Sequence, residues 1–431
     1  MPDARDARAT AVPAGDRDPG RIAFSAFGRL ARTAERGLFD FVLLPDGRRA
    51  RERHTPGHET GRETGHDHGA TGRPEPLTVL SALAAVTERI GLAAAVDLGR
   101  HEPYELARRL ASLDHLSGGR AAWSVVTSVD PFAGADRRQG GADHAEQHAR
   151  AEEFVRTARA LWDSWTPDGR QRPLDHRGRH FSVAGEFTVA RSPQGHPVVI
   201  QSGGSHAGRE LAAKAADVVL SRHRTLASAR AFAADLRGRF AAQGRDPAEL
   251  TVMPGVTVVL GDSAADARER AAALREGQLS PAGAIAALER IWGRDLSGHD
   301  PEGPLPEIDP APGGGPPARC GGRTADGPAV AERLRALSRR KGLTSRQTVA
   351  EVTARQTFVG TPEQVAAEMA VLLRERAADG FLLLPQPTPG GLDDFVARVV
   401  PLLQERGILR TGYEGSTLRS HLGLAEPVWK G

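Results

Sequence analysis

Cysteine, net charge and long apolar runs are all scarce in this 431-residue chain. The single cysteine, Cys320, cannot form an intrachain disulfide, which suits a reducing compartment. The 57 Lys and Arg residues nearly balance the 54 Asp and Glu residues, and this balance gives no support for nucleic acid binding. No apolar run approaches membrane-spanning length, and residues 1–20 lack the apolar core of a secretory signal. These absences predict a cytoplasmic protein that binds neither nucleic acid nor a membrane.

Short apolar runs alternate with helical patterns along most of the chain. Seven runs predict buried strands, at residues 38–44, 90–96, 121–127, 198–201, 217–220, 251–260 and 381–384. Repeated strand–helix units in parallel order favour an α/β protein with a (β/α)8 TIM barrel over an open doubly wound sheet. The missing eighth strand should be the first, and residues 8–13 are a poor candidate for it. We therefore expect one barrel domain over residues 1–431, with a weakly defined first strand and insertions at the rim.

Three stretches predict those insertions. Residues 47–73 contain four histidines but no Cys or carboxylate spacing that completes a metal site, so we expect an exposed loop and no metal. Residues 166–196 include extended pieces at 180–183 and 186–189, which predict a hairpin over the barrel mouth. Residues 296–325 are rich in Pro and Gly and predict a long lid or rim loop.

Polar residues directly follow several of the apolar runs. An apolar strand at 121–126 ends in a cluster of hydroxyls, and barrel enzymes build their sites from the segments that follow the strands. The candidates from this argument are Asp46, Asp97, Ser124, Thr127, Ser128, Gln201, Ser202 and Ser205. Each has a plain alternative, because strand ends need polar turn residues in any case.

The segment 201–205 (Gln-Ser-Gly-Gly-Ser) predicts a phosphate-binding turn. Gly203 and Gly204 allow backbone amides to approach a ligand, and Ser205 opens a helix whose first amides lack partners. The alternative is an ordinary strand-to-helix turn in which Ser205 caps the helix.

Two histidines lie four residues apart near the start of the predicted helix that follows the strand at 121–127. His144 and His148 therefore face the same way. They lack the Glu of the protease metal motif, so contact with a cofactor phosphate or ring is one interpretation. A solvated helix face, which also carries Glu146, Gln147 and Arg150, is the other.

Several ordered motifs together resemble one family. They include Leu-Pro-Asp-Gly (44–47), Glu-Pro-Leu-Thr (75–78), Glu-Pro-Tyr-Glu-Leu-Ala-Arg (102–108), Ser-Leu-Asp-His-Leu-Ser-Gly-Gly-Arg-Ala-Ala-Trp (112–123) and Gly-Thr-Pro-Glu-Gln-Val (360–365). With them the chain resembles the luciferase-like flavin monooxygenases, and more closely their nitrilotriacetate monooxygenase component A group. The resemblance covers nearly all of residues 24–427.

The resemblance implies an α/β barrel that takes reduced FMN from a separate reductase, uses oxygen, and oxygenates a small organic substrate. It also implies a homodimer. By position it assigns flavin contacts to Asp46, Asp97, His144, His148 and Ser205. Ser124 stands where the family usually has Asn, and the strand-end and glycine arguments add Thr127 and Gly204 to the expected contacts. No catalytic base is assigned, although His101 and His223 are candidates on the rim.

Three positions depart from the family pattern. Asp97 replaces a small hydroxyl residue, Ser124 replaces Asn, and His148 replaces Tyr. A second carboxylate beside Asp46 would repel an anionic reduced flavin unless it is protonated or paired with Arg100. Two alternatives therefore stay open: a deazaflavin-dependent oxidoreductase on the same barrel, and a catalytically silent flavin-binding subunit. No Gly-x-Gly-x-x-Gly stands between a strand and a helix, which agrees with a separate nicotinamide-dependent reductase.

Overall fold

The computed structural model describes residues 23–45, 74–127, 144–202, 204–223, 225–311, 327–353, 356–384 and 391–429. Its strands are β1 (Phe41–Leu44), β2 (Gly91–Asp97), β3 (Ala121–Val126), β4 (Leu174–Arg177), β5 (Ser182–Gly185), β6 (Val198–Ser202), β7 (Val218–Ser221), β8 (Thr251–Leu260), β9 (Gln356–Gly360) and β10 (Leu382–Leu383). Its helices are α1 (Phe24–Arg36), α2 (Pro76–Ala84), α3 (Pro103–Ser117), α4 (His144–Asp163), α5 (His206–Ala215), α6 (Leu226–Ala242), α7 (Ala264–Gln278), α8 (Pro281–Trp292), α9 (Gly327–Lys341), α10 (Ser345–Thr353), α11 (Pro362–Arg374), α12 (Gly391–Arg398), α13 (Val400–Glu405) and α14 (Leu418–His421).

Seven parallel strands form the main sheet in the order β1-β2-β3-β6-β7-β8-β10. Their residues are apolar on both faces because helices cover one side and the barrel interior lies on the other. In β3, for example, Ala121, Ala122 and Trp123 are fully buried. All seven strands were predicted from the sequence, and the α/β barrel class is confirmed.

The first and last helices of the barrel pack against each other. Phe395 of α12 lies edge-on to Phe39, with ring centroids 6.1 Å apart, and Asp393 accepts a 2.9 Å hydrogen bond from Thr33 of α1. The ring of helices therefore closes between α12 and α1, as it does in a barrel. The strand expected at residues 8–13 lies outside the described residues.

One strand of the barrel sheet was not predicted. β9 pairs with the second half of β8, from Val256↔Gln356 to Leu260↔Gly360, beyond the first half of β8 that pairs with β7. β9 is thus an addition to the barrel sheet at the far end of its longest strand.

The C-terminal segment closes the end of the barrel where the strands begin. Leu418 is fully buried and packs inside the barrel, and its N–H donates to Gly119 O at 2.9 Å. A Cβ at Gly91 would lie 2.6 Å from Leu418, so glycine is required there. Arg419 donates to Asp217 at 3.0 Å, just before β7. Among the described residues, the opposite end, where the strands finish, is the end at which barrel enzymes place their sites.

The hairpin in the 166–196 insertion differs from the prediction in its strand bounds. β4 pairs antiparallel with β5, so the strands are 174–177 and 182–185 rather than 180–183 and 186–189. The insertion packs against α3 and α4: Phe187 contacts Tyr104 edge-to-face with ring centroids 5.6 Å apart, and Phe181 contacts Phe154 edge-to-face at 5.4 Å. A position over the barrel mouth stays a prediction.

The 296–325 insertion also differs in its described part. Residues 296–311 pack with α8, α9 and α10 around a separate apolar cluster that includes Trp292, Leu305, Leu334 and Val349. This part is an irregular segment packed on those helices rather than a free loop, because Leu296 and Leu305 supply apolar anchors within the Pro-rich sequence. Residues 312–325, like the insertion at 47–73, lie outside the described residues.

Candidate active site

Polar residues meet at one level where four adjacent strands finish. Asp97 pairs in register with Val126 of β3, and Ser202 pairs with Leu220 of β7. Val125 pairs with Gln201, so these positions share one level, and Ser124 and Ser221 lie two residues and one residue from it, at most about 7 Å along the strand direction. The register confirms that the strand-end candidates of β2, β3 and β6 lie at the same end of the barrel.

Strand alternation directs Ser124 and Ser202 into the barrel, and Gln201 and Ser221 towards the surrounding helices. The side chains that meet inside the barrel include Ala93, Ala122, Ile200 and Leu220. Ser124 and Ser202 each lie two residues further along the same strands, so they also face the interior. Ser124 is buried, with 4% of its surface exposed. Thr127 follows the end of β3 and is half-buried.

The carboxylate of Asp97 is engaged by its own turn. One oxygen accepts from Gly99 N at 3.0 Å, and the other lies 3.4 Å from Arg100 Nε. Asp97 therefore caps the short 3-10 turn 98–100 and is paired with Arg100. This pairing is one of the two conditions under which an extra carboxylate is compatible with an anionic flavin.

Ser205 is the N-cap of α5. Its Oγ accepts from Gly208 N at 3.0 Å, so the capping interpretation is confirmed. The cap leaves the first backbone N–H groups of α5 pointing out of the helix start, where the positive end of the helix dipole favours an anion. Gly204, directly before the cap, is exposed. A phosphate at this helix start stays a prediction.

The remaining candidates are only partly described. Asp46, Ser128 and Gly203 lie outside the described residues, and so does the side chain of His144. His148 is half-buried in the second turn of α4. No test of a flavin contact follows from these positions, and the contacts stay predictions.

Three other residues near this end carry buried polar atoms for which the described residues provide no hydrogen-bond partner. They are Gln201 (Oε1), Ser221 (Oγ) and His223 (Nε2). Burial, together with the positive charge of Arg209, lowers the pKa of His223. Ser221 was missed in the sequence, although its signal is the same as that of Ser202: a hydroxyl that ends an apolar run. Within the described ranges, no three His, Cys, Asp or Glu side chains group as metal ligands.

The fold and this rim define an α/β-barrel enzyme whose site lies where the parallel strands finish. The family model of the luciferase-like monooxygenases matches residues 9–380. Nitrilotriacetate monooxygenase component A from Aminobacter aminovorans is 40% identical over 425 residues, which cover 93% of this chain and 90% of that protein. The chain therefore belongs to the luciferase-like monooxygenase family, and it is a flavin-dependent monooxygenase.

Two solved structures are similar over almost their whole length. EDTA monooxygenase from Chelativorans sp. BNC1 has a TM-score of 0.75 and 28% identity, and the match covers 97% of each chain. A riboflavin lyase, solved with modified FMN and riboflavin, has a TM-score of 0.75 and 27% identity over 98% of this chain and 94% of that one. These comparisons confirm the TIM barrel and support FMN as the cofactor. Among the described residues, no helix is both long and apolar enough to cross a membrane.

Proposed function

We propose that this protein is the oxygenase component of a two-component system, which takes reduced FMN from a separate NAD(P)H:flavin reductase and oxygenates a small organic substrate. The observation that carries the proposal is the contrast between a barrel end closed by Leu418 and Arg419 and an opposite end rimmed by polar residues. Family membership supplies the reaction class. Bound reduced FMN would supply the two electrons that reduce oxygen, so that one oxygen atom enters the substrate and the other leaves as water.

The residues at the rim fit FMN. The capped start of α5 offers free amide N–H groups for a phosphate, and the pairing of Asp97 with Arg100 limits charge repulsion. Gln201 and Ser221 also have buried atoms without partners among the described residues, but strand alternation directs these two side chains towards the helices, so they are not among the proposed contacts. Asp46, Ser124, Thr127, His144, His148 and Gly204 complete the proposed contacts.

The chain's residues have three tasks in this proposal. The backbone at the start of α5 binds the phosphate, and the hydroxyl of Ser124 inside the barrel offers a hydrogen bond to the ring system. The C-terminal segment excludes water from the other end of the barrel. This favours transfer of oxygen to the substrate over release of hydrogen peroxide to solvent.

The proposal extends to partners and location. A separate reductase agrees with the lack of a strand–glycine–helix motif for a nicotinamide cofactor in the sequence. The name component A of the Aminobacter aminovorans relative agrees with a second component. We further propose a single barrel domain, a homodimer, and a cytoplasmic location, which suits reduced flavin and the single cysteine.

Rapid mixing of the anaerobic protein and reduced FMN with oxygen tests the proposal. We expect the flavin absorbance to return to the oxidised spectrum more slowly than that of free reduced FMN, through a transient absent from the free cofactor. Reoxidation at the rate of free FMN would contradict the proposal and favour a silent subunit. Preferential binding of a deazaflavin over FMN would favour hydride transfer without oxygen.

A further inference from the structure

A buried carboxylate on α4 holds the hairpin insertion. The Glu153 side chain is 5% exposed, and its two oxygens accept hydrogen bonds from three successive backbone N–H groups, those of Arg179, His180 and Phe181, at 2.9 to 3.1 Å. His176 Nε2 lies 3.4 Å from the same carboxylate. Three successive amides that converge on an anion form a nest, which binds negative charge strongly.

The nest requires glycine at one position. A Cβ at Gly178 would lie 1.9 Å from Glu153 Oε1, so any other residue would displace the carboxylate. Burial alone would raise the pKa of Glu153, but the amides of Phe181 and His180 and the side chain of His176 hold this pKa below its usual value. Glu153 is thus charged at neutral pH.

A second contact joins the hairpin to the first turn of α4. Glu146 pairs with Arg179 at 2.9 Å and with His180 Nδ1 at 3.7 Å, and the Arg150 guanidinium lies 4.4 Å from the centre of the Phe181 ring. Positions 146, 150 and 153 share one face of the helix. We call Glu146, Glu153 and segment 176–181 the clamp.

The other face of α4 packs on the barrel. Ala151 and Val155 are almost fully buried there, in the cluster that contains Trp123 of β3. At 3.6 residues per turn, His148 falls on this second face, opposite Glu146 and Glu153. Segment 176–181 and the barrel therefore contact opposite faces of α4.

We propose that Glu153 is a positioning residue for the flavin: by holding the clamp, it sets the rotation of α4 and so the placement of His148 at the cofactor. The inference rests on the proposed function. Glu153 itself lies on the outer side of α4 and touches neither cofactor nor substrate. Loss of the clamp leaves the barrel strands intact but allows α4 to shift.

Glu153→Gln is the main test, because it keeps the side-chain shape but removes the charge and one acceptor oxygen. We expect faster trypsin cleavage at Arg177 and Arg179, which reports release of the hairpin. We also expect the Kd for FMN to rise about tenfold, since small displacements of contact residues have effects of this size or larger. Both are measured well below the unfolding temperature. Glu153→Asp keeps the charge on a shorter side chain, so its cleavage rate and its Kd for FMN should lie between those of the wild type and Glu153→Gln.

Glu152→Gln is the matched control. Glu152 is the neighbouring carboxylate, partly exposed and paired with Lys214 at 2.9 Å, and its loss should change neither cleavage nor FMN affinity. If Glu153→Gln does not fold, Glu146→Gln breaks the exposed half of the clamp and should raise the Kd about threefold.

The outcomes separate this inference from the proposed function. A released hairpin with unchanged FMN affinity would overturn the positioning role, and so would a hairpin that stays as resistant as in the wild type. Failure of the wild-type protein to bind FMN would instead refute the proposed function, before any variant is compared.

Discussion

The two ends of the barrel treat their polar groups differently. Where the strands begin, Asp217 accepts from Arg419 at 3.0 Å and from Val199 N at 2.9 Å, and Asp163 contacts both Arg191 and His196. Where the strands finish, polar atoms of Gln201, Ser221 and His223 lack partners in the part of the chain that the structure describes. One end is a network of ion pairs, and the other has hydrogen-bonding capacity left over.

This difference indicates that the paired groups of the closed end serve stability, whereas the open end is available for a ligand. A buried polar atom without a partner destabilises the protein, so such atoms persist where a ligand completes them. The closed end also has buried atoms without partners among the described residues: Asp114 Oδ2, Arg159 Nε, Ser192 Oγ and both ring nitrogens of His421. Burial raises the pKa of Asp114 to about 6 and lowers that of His421 to about 4, so both groups shift towards their neutral forms. For these two groups, the shift limits the free-energy cost of the unpaired atoms without any ligand.

Of the substitutions considered, Arg419→Ala at the closed end should lower the free energy of unfolding most. Burial alone would raise the pKa of Asp217, but Arg419 and Arg159 hold this pKa below its usual value. Without Arg419 the carboxylate keeps only more distant cations, so we expect the free energy of unfolding to fall by about 3–5 kcal/mol in urea titrations. The exposed pair of Arg170 and Asp168 gives the control, and Arg170→Ala should cost under about 1 kcal/mol. Equal losses would contradict the assignment of stability to the closed end.

Asp114→Asn should change the pH dependence of stability. The folded carboxyl holds its proton up to about pH 6, whereas the unfolded one loses it near its ordinary pKa of 3.8. The folded state therefore binds more protons between these values, and the stability contributed by Asp114 falls as pH rises through this window, by about 2–3 kcal/mol. The amide oxygen of the substituted side chain would keep an acceptor for Ala121 N and Gln194 Nε2.

The measurement is the difference in unfolding free energy between the two proteins at several pH values. Between pH 4 and 6.5 the wild type should lose stability relative to the variant, and above about pH 7 the difference in unfolding free energy should be constant. A difference that does not vary with pH would show that Asp114 titrates normally.

Ser205→Asp tests the open end. Aspartate caps helices as well as serine does, so stability should hardly change, but its charge at the start of α5 should repel a phosphate. We expect the Kd for FMN to rise about tenfold, equal to about 1.4 kcal/mol. Ser205→Asn is a neutral cap of the same shape and should bind FMN as the wild type does. Equal affinity of the Asp and Asn variants would remove the phosphate from this helix start.

The sequence predicted the barrel elements because apolar runs report burial directly. β10 at Leu382–Leu383 falls inside the expected run 381–384, and the end of β3 and the helix cap at Ser205 were also located correctly. β9 was missed because its five residues, Gln-Thr-Phe-Val-Gly, alternate too briefly to stand out. The strand bounds of the hairpin were wrong because short polar segments carry little alternation of apolar and polar residues from which to set them.

The site was harder to predict than the fold. The side-chain rotamer decides whether a strand-end carboxylate faces a ligand or its own turn. The carboxylate of Asp97 faces its own turn and accepts from Gly99 N. Glu153 stands beside Glu152 in a charged stretch and resembles a solvated helix position. Its role depends on amides 26 to 28 residues away, which no spacing rule reveals, although Gly178 within a polar segment was a possible signal.

A pair of serines gives the finest comparison of the two ends. Ser117, at the closed end, donates to Asp114 O and accepts from Arg120 N, both at 3.2 Å, whereas Ser221 has no such partner among the described residues. They are equally buried, at 6% and 5% exposure. In the absence of flavin, Ser117→Ala should lower the free energy of unfolding by about 1 kcal/mol, and Ser221→Ala should lower it by about zero. Equal losses of unfolding free energy in the two variants, measured by urea titration, would mean that the hydroxyl of Ser221 already has a partner within the protein. The open end would then have less hydrogen-bonding capacity for a ligand than its geometry indicates.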